Sequence, residues 1–270
     1  MSTALAHDLA RALDPALLMA DAGQPPDAWQ QRVLRTEARL LLLCSRQSGK
    51  STVTASLALH TALYQAPVLV LLLSPSLRQS QELFRKVLDV YRMIDETIPA
   101  EQESALRLEL TNGSRIVSLP GKEETVRGFS GAKLLVIDEA SRVADSLYYA
   151  VRPMLAVNGG KLVCMTTPFG KRGFLYQEWS EGQGWEKILI TADQCPHISR
   201  EFLAEERRTL GEWWYCQEYG CEFIDTITQV FASDLIAQAV NHDLQPFFPD
   251  LLQQPAVSDP RVTVLVGGPP

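Results

Sequence analysis

The chain has 270 residues, 46% hydrophobic and 21% charged, so it is long enough to bury a sizeable core and too ordinary in composition for a fibrous repeat or a disordered segment. A formal net charge of -7 argues against coating nucleic acid through bulk positive charge, although a local basic face could still steer a strand. The cysteines Cys44, Cys164, Cys195, Cys216 and Cys221 are scattered, unlike the disulfide framework of a small secreted domain, and fit a reducing cytoplasm.

Residues 4–18 show helical spacing of Ala and Leu interrupted at Pro15, and the breaker-rich stretch 21–29 follows. Asp8 and Asp14 interrupt its apolar positions and the basic start is missing, so a signal peptide is not expected. The run 39–44 is almost wholly apolar and ends in polar residues, as expected of a strand buried on both faces; 50–64 then reads as a helix. The run 68–73 repeats that strand pattern, stops at Ser74-Pro75, and leads into an amphipathic helix over 78–93. The longest apolar runs, 40–44 and 67–73, fall far short of the roughly 18 to 20 residues that span a bilayer. No membrane segment is expected.

Segments 106–110 and 115–119 flank Asn112-Gly113, a strong hairpin signal. Three more strand-like runs follow at 134–137, 162–165 and 187–191, with a helical stretch 146–155 between the first two. The sum is an α/β fold with a mainly parallel sheet. Residues 200–210 read as a charged helix, and 212–223, EWWYCQEYGCEF, bring aromatics together that are expected to close the core. Beyond 224 one more helix fits 231–241, after which prolines punctuate a linker or truncated start.

In CSRQSGKS the strand ending near Cys44 runs into a tight turn and a helix, so backbone N–H groups and a helix N-terminus converge on a place suited to phosphate oxygens. Ser45, Arg46, Gln47, Ser48, Gly49, Lys50, Ser51 and Thr52 are therefore the expected nucleotide-binding turn. Gly49 permits close approach, Lys50 would neutralise β- and γ-phosphates, and the Ser51 hydroxyl would hold Mg2+. The full G-x-x-x-x-G-K-[ST] pattern is broken where Cys44 replaces glycine, and a chance Gly-Lys-Ser turn is the competing reading.

LLVIDE, 134–139, puts Asp138 and Glu139 at the carboxyl end of a buried strand, where open α/β sheets bind ligands. Asp138 can hold magnesium while Glu139 acts as general base on the attacking water; an acidic pair capping the next helix is the alternative. Trp29-Gln30 offers an aromatic face and an amide able to pair with adenine, against plain packing at a domain edge. Arg46 and Arg127 are the arginines suited to transition-state charge, with a solvated loop arginine the rival reading for Arg127. The hydroxyls of Thr166 and Thr167 could lie near the γ-phosphate, or could simply end a strand before Pro168. Arg78, Arg85, Lys86 and Arg92 on one helix are candidate DNA contacts against the alternative of a solvated face. The spacings Cys195-Pro196-His197 and Cys216 to Cys221 do not match strong zinc sites.

Taken together, WQQRVL, SRQSGKS, LLLSPSLRQSQELF, TVRG, LLVIDEA, MTTPFGKRGFLY and QEYGCEF follow the order seen in the ATPase domain of the large terminase subunit of tailed bacteriophages, which residues 25–240 resemble. The terminase variant of the phosphate loop also has an arginine at its third position and no leading glycine, as here at Arg46 and Cys44. The resemblance implies a P-loop NTPase of the ASCE/RecA-like type, with helices on both faces of the sheet. It implies a motor driven by ATP and Mg2+ that threads double-stranded DNA into a capsid, in the host cytoplasm. Its partners would be the terminase small subunit and the portal protein, and the motor would be a homo-oligomeric ring when assembled, with a monomer in isolation. On that resemblance Arg127 is a finger reaching a neighbour's phosphates, Gln30 reads adenine, Arg46 senses the γ-phosphate, and Thr166 and Thr167 couple hydrolysis to motion.

The expected domains are a helical extension over 1–24, the ATPase over 25–225, and a linker or truncated nuclease start over 226–270. Large terminases continue into an RNase H-like nuclease, whereas VTVLVGGPP, 262–270, carries no carboxylate, so no nuclease activity is expected. Two other readings remain: a fragment of a two-lobe helicase, for which the residues after 224 are too few to build a second lobe, and a P-loop assembly module without turnover.

Overall fold

The computed structural model describes residues 3–94 and 97–225, with Leu235 and Ala239. The strands are β1 (Arg39–Cys44), β2 (Leu69–Ser74), β3 (Ala100–Glu103), β4 (Arg107–Leu110), β5 (Arg115–Pro120), β6 (Ala132–Asp138), β7 (Lys161–Thr166) and β8 (Trp185–Ile190). They form one sheet in the order β3-β4-β5-β2-β6-β7-β1-β8. From β5 to β8 every neighbouring pair is parallel; β3, β4 and β5 make an antiparallel wing.

The apolar runs are continuous because both faces of the parallel strands are covered. Alternation divides them between two cores: Leu40, Leu42 and Cys44 of β1 join Val70, Leu72, Leu134, Val136, Val163 and Met165 on one side. Leu41 and Leu43 join Leu71, Leu73, Leu135, Ile137, Leu162 and Cys164 on the other. The first core is roofed by α2 (Pro15–Asp21), α3 (Ala28–Arg35), α4 (Lys50–Tyr64) and α5 (Leu77–Met93), and the second by α7 (Asp145–Val151) and α8 (Gly173–Ser180), where Tyr148 stacks on Phe174 at 4.1 Å. The N-terminal helices share this core: after α1 (Thr3–Leu13), Leu18, Met19 and Ala22 are buried in it.

Three elements differ from expectation for local reasons. Strand β3, AEQE, is exposed along its whole length and pairs only with β4, so nothing in its side chains announces a strand. The stretch 146–155 is split into α7 and a 3-10 turn over Arg152–Leu155, where Pro153 supplies no amide hydrogen. The last long helix, α9 (Arg200–Glu218), runs across Gly211, whose φ of 76° and ψ of 163° break the helical path. Beyond the break Trp214 is 42% exposed, and it is Gln217, Glu218, Tyr219 and Cys221 that are buried, so the two tryptophans do not close the core. Between β5 and β6 lies the short α6 (Glu123–Val126).

One compact unit spans Met1–Thr226 and a second Ile227–Pro270. Leu235 and Ala239 are helical and exposed; the rest of the helix expected over 231–241, and the strand start over 262–270, lie outside the described residues. Among the described residues no helix is long and apolar enough to cross a membrane.

Candidate nucleotide site

The turn between β1 and α4 is held from three directions. Ser45 N–H continues the sheet ladder to the Ile190 carbonyl at 2.8 Å, Arg46 N–H bonds the Glu218 carbonyl at 3.2 Å, and the Ser48 hydroxyl reaches back to the Ser45 carbonyl at 2.9 Å. Gln47 and Gly49 occupy the left-handed region at φ 61° and 92°. The φ of Gly49 favours glycine, and a Cβ there would also meet the Gln30 side-chain amide at 2.8 Å. The Gly49 carbonyl takes the Thr52 and Val53 amides, each at 3.1 Å, which leaves the Lys50 and Ser51 amides at the start of α4 for an anion above the loop.

Strand β6 delivers the acidic pair from two strands away, with β7 between β6 and β1. Glu139 has φ 47°, a left-handed turn that makes the two consecutive carboxylates diverge. Asp138 is only 8% exposed, and burial, followed by the Glu139 charge, pushes its pKa up to about 6 against the pull of Lys50 and Lys86. Glu139 Oε1 lies 3.7 Å from Lys50 Nζ, and the Thr166 hydroxyl approaches Glu139 Oε2 at 3.5 Å. The Thr166 hydroxyl lies 2.7 Å from that of Ser141, and both come within hydrogen-bond distance of the Thr167 carbonyl, at 2.6 and 2.8 Å.

A cleft of 440 Å³ opens over the loop, lined by residues 46–52 together with Glu139, Lys86 and His197. His197 Nε2 lies 2.6 Å from the Gln47 carbonyl. A carbonyl only accepts, so Nε2 carries the hydrogen and pins the loop where its backbone is left-handed. Oxygen donors at the start of α4 and the end of β6, Ser51 and Asp138, with an acidic pair short of compensating charge, are the donor set that suits Mg2+, which takes few protein oxygens and keeps water or phosphate.

The site residues expected from sequence divide into groups. Residues 46–52 and Glu139 line one cleft, Ser45 and Asp138 lie buried beneath it, and Thr166 meets Glu139. Thr167 is buried and contributes its carbonyl to the Ser141 network. Arg46 is ion-paired with the buried Glu218. Gln30 is buried behind Gly49, with its side-chain oxygen accepting from Asp27 N–H at 2.9 Å. Arg127 is exposed at the end of α6 and does not line the cleft of its own chain. Of the cations assigned to a DNA face, Lys86 turns to this cleft. Sequence reading missed Ser141, His197 and Glu218 in this role; the last two meet the loop from 150 and 172 residues away, a separation no local pattern records. The thiols of Cys195 and Cys221 donate to the Thr191 and Ile190 carbonyls, and among the described residues no cluster of metal-binding side chains occurs.

Residues 41–238 match the family described as terminase large subunit, T4likevirus-type, N-terminal. The chain is 25% identical over 247 residues to the terminase large subunit of Thermus virus P23-45, covering 78% of this chain and 51% of that protein. It therefore spans about half the length of the curated relatives it matches. Among solved structures, the large terminase ATPase domain of Thermus phage P74-26 superposes with a TM-score of 0.66 at 21% identity, covering 76% of this chain and 97% of that one. The large terminase of another thermophilic bacteriophage, in complex with ADP, gives 0.59 at 15% identity over 74% of this chain and 54% of that one. At these identities the structural likeness speaks for the fold.

Proposed function

The chain belongs to the large terminase subunit family, in the N-terminal region of its T4likevirus type, and on that premise we propose that it is the ATPase of a viral DNA-packaging motor, moving double-stranded DNA into a capsid in the host cytoplasm. The observation that carries the reading is Glu139, set between Lys50 and Thr166 at the edge of the loop cleft. The nucleotide complexes of a structural relative, with ADP and with ATP-gamma-S, support the same ligand class.

In this reading the loop amides and Lys50 bind the phosphate chain, and Glu139 accepts the proton of a water that attacks the γ-phosphorus. The bond to the β–γ bridging oxygen breaks, leaving ADP and inorganic phosphate. Mg2+, held by Ser51 and Asp138, would neutralise charge on the β- and γ-phosphate oxygens. The Thr166 hydroxyl, 2.7 Å from that of Ser141, lies 3.5 Å from the Glu139 carboxylate, so the strand end that carries Thr166 and Thr167 adjoins the base. Arg46 exchanges Glu218 for the γ-phosphate, and Gln30 reads adenine after releasing Asp27 N–H.

Arg127, exposed and away from its own cleft, suits a finger donated to a neighbouring subunit of a ring. The terminase small subunit and portal protein are the partners this assignment carries. In domain terms we propose 1–24 as a helical extension packed into the first core, 25–225 as the ATPase, and 226–270 as a linker or the truncated start of a nuclease domain.

The test is steady-state ATP hydrolysis with magnesium, comparing the parent with Glu139→Gln over a range of protein concentrations. Loss of the base is expected to lower turnover by about a hundred- to ten-thousandfold while nucleotide still binds. Equal rates in both proteins would overturn the assignment. Turnover per chain that rises with concentration is expected of a finger supplied in trans; a flat profile removes Arg127 from that role.

A further inference from the structure

The cations of α5, Arg78, Arg85, Lys86 and Arg92, have different fates. Arg78, Arg85 and Arg92 recur at heptad spacing and share one face, whereas Lys86 points about 100° away from Arg85. Arg85 is ion-paired with Glu82, and Arg92 with Glu103. Lys86 is exposed, and among the described residues no carboxylate lies within ion-pair distance of it. Its ammonium instead reaches the Thr52 hydroxyl at 3.4 Å, in the first turn of α4, and lines the loop cleft.

The other cations of that cleft are already engaged with acids: Lys50 faces Glu139, and Arg46 is held by Glu218. A triphosphate brings several negative charges to the cleft, and an ammonium on a long flexible stem is a mobile point charge suited to them.

We propose that Lys86 is a phosphate-binding residue of the nucleotide site, a cation supplied from outside the phosphate loop that contacts the phosphate chain of the bound triphosphate. The assignment rests on the ATPase reading above, and it removes Lys86 from the DNA face expected from the sequence of α5.

Calorimetric titration of the full chain with Mg·ATP and with AMP, for the parent, Lys86→Ala, Lys86→Gln and Lys86→Arg, tests it. Both neutral variants are expected to bind Mg·ATP about tenfold more weakly, with Lys86→Arg recovering most of the loss and AMP affinity changed less than about twofold. The deficit is expected to shrink at high salt, as screening weakens an exposed charge. Neutral variants that bind Mg·ATP within about twofold of a binding-competent parent would overturn the role of Lys86 alone. A parent that binds no Mg·ATP would overturn the ATPase reading, and this inference with it. Unchanged circular dichroism and melting temperature in the variants separate a binding defect from a folding one.

Discussion

The two edges of the parallel sheet carry similar numbers of polar side chains and use them in opposite ways. At the amino edge, near the starts of β1, β6 and β7, a 270 Å³ cavity is lined by His60, Arg35, Arg39, Lys133 and Lys161 among others. There Lys161 donates to the Thr36 carbonyl at 2.5 Å, Arg35 pairs with Asp14 at 2.7 Å, and His60 bonds the Arg11 carbonyl at 2.9 Å, while burial pulls the Lys161 pKa down to about 8. At the carboxyl edge tight contacts, His197 to the Gln47 carbonyl at 2.6 Å and Arg46 to Glu218, stand beside two adjacent carboxylates: Lys50 is 3.7 Å from Glu139, Asp138 is buried next to it, and Lys86 lacks an acid among the described residues. Closed polar circuits lock structure; open ones leave charge for a ligand. What sets the carboxyl edge apart is its pair of adjacent carboxylates, one of them buried with a raised pKa.

Breaking the carboxyl edge should produce the largest effect. Lys50→Ala is expected to lower kcat/KM for ATP by about a hundred- to thousandfold, read by steady-state hydrolysis, with a melting temperature close to that of the parent.

Removing its electrostatic strain should stabilise the nucleotide-free protein. The Asp138 pKa is raised, from 3.8 to about 6, so between those values the folded protein holds more protons than the unfolded chain and stability falls as pH rises. The cost is fully present above about pH 6. Asp138→Asn should therefore gain up to about 3 kcal/mol at pH 7, a gain that vanishes by about pH 4. Denaturant melts at the two pH values check this, and a loss of stability at pH 7 would contradict it.

The amino edge should respond the other way. His60→Ala removes a buried ring and its hydrogen bond to the Arg11 carbonyl, and is expected to cost about 2 kcal/mol in denaturant unfolding. Turnover at 25 °C should stay within about twofold of the parent. A selective loss of turnover without loss of stability would dissolve the contrast between the edges.

Much of the fold was legible because the signals are local. The strand β1 and helix α4 have the bounds that their apolar runs suggest, and the turn between them is recognisable from Gly49-Lys50-Ser51. The acidic pair was legible for the same reason: four apolar residues must be a buried strand, and the carboxylates after them must emerge at its carboxyl end. Strand β3 was not legible, since its exposed side chains carry no alternation and only backbone pairing makes it a strand.

By itself, then, the order of residues determined the two-faced parallel sheet, the strand-to-helix turn at Gly49-Lys50-Ser51 and the position of Asp138 and Glu139, since each depends on periodicity or on neighbours a few places apart. Only the tertiary structure decided which distant side chains complete the cleft. His197 and Glu218 reach the loop because the chain after β8 folds back over it. Lys86 reaches it because α5 packs its apolar stripe on the sheet and so sets the rotation of every other residue it carries. A helix announces its apolar face in sequence; what stands opposite its remaining faces depends on packing.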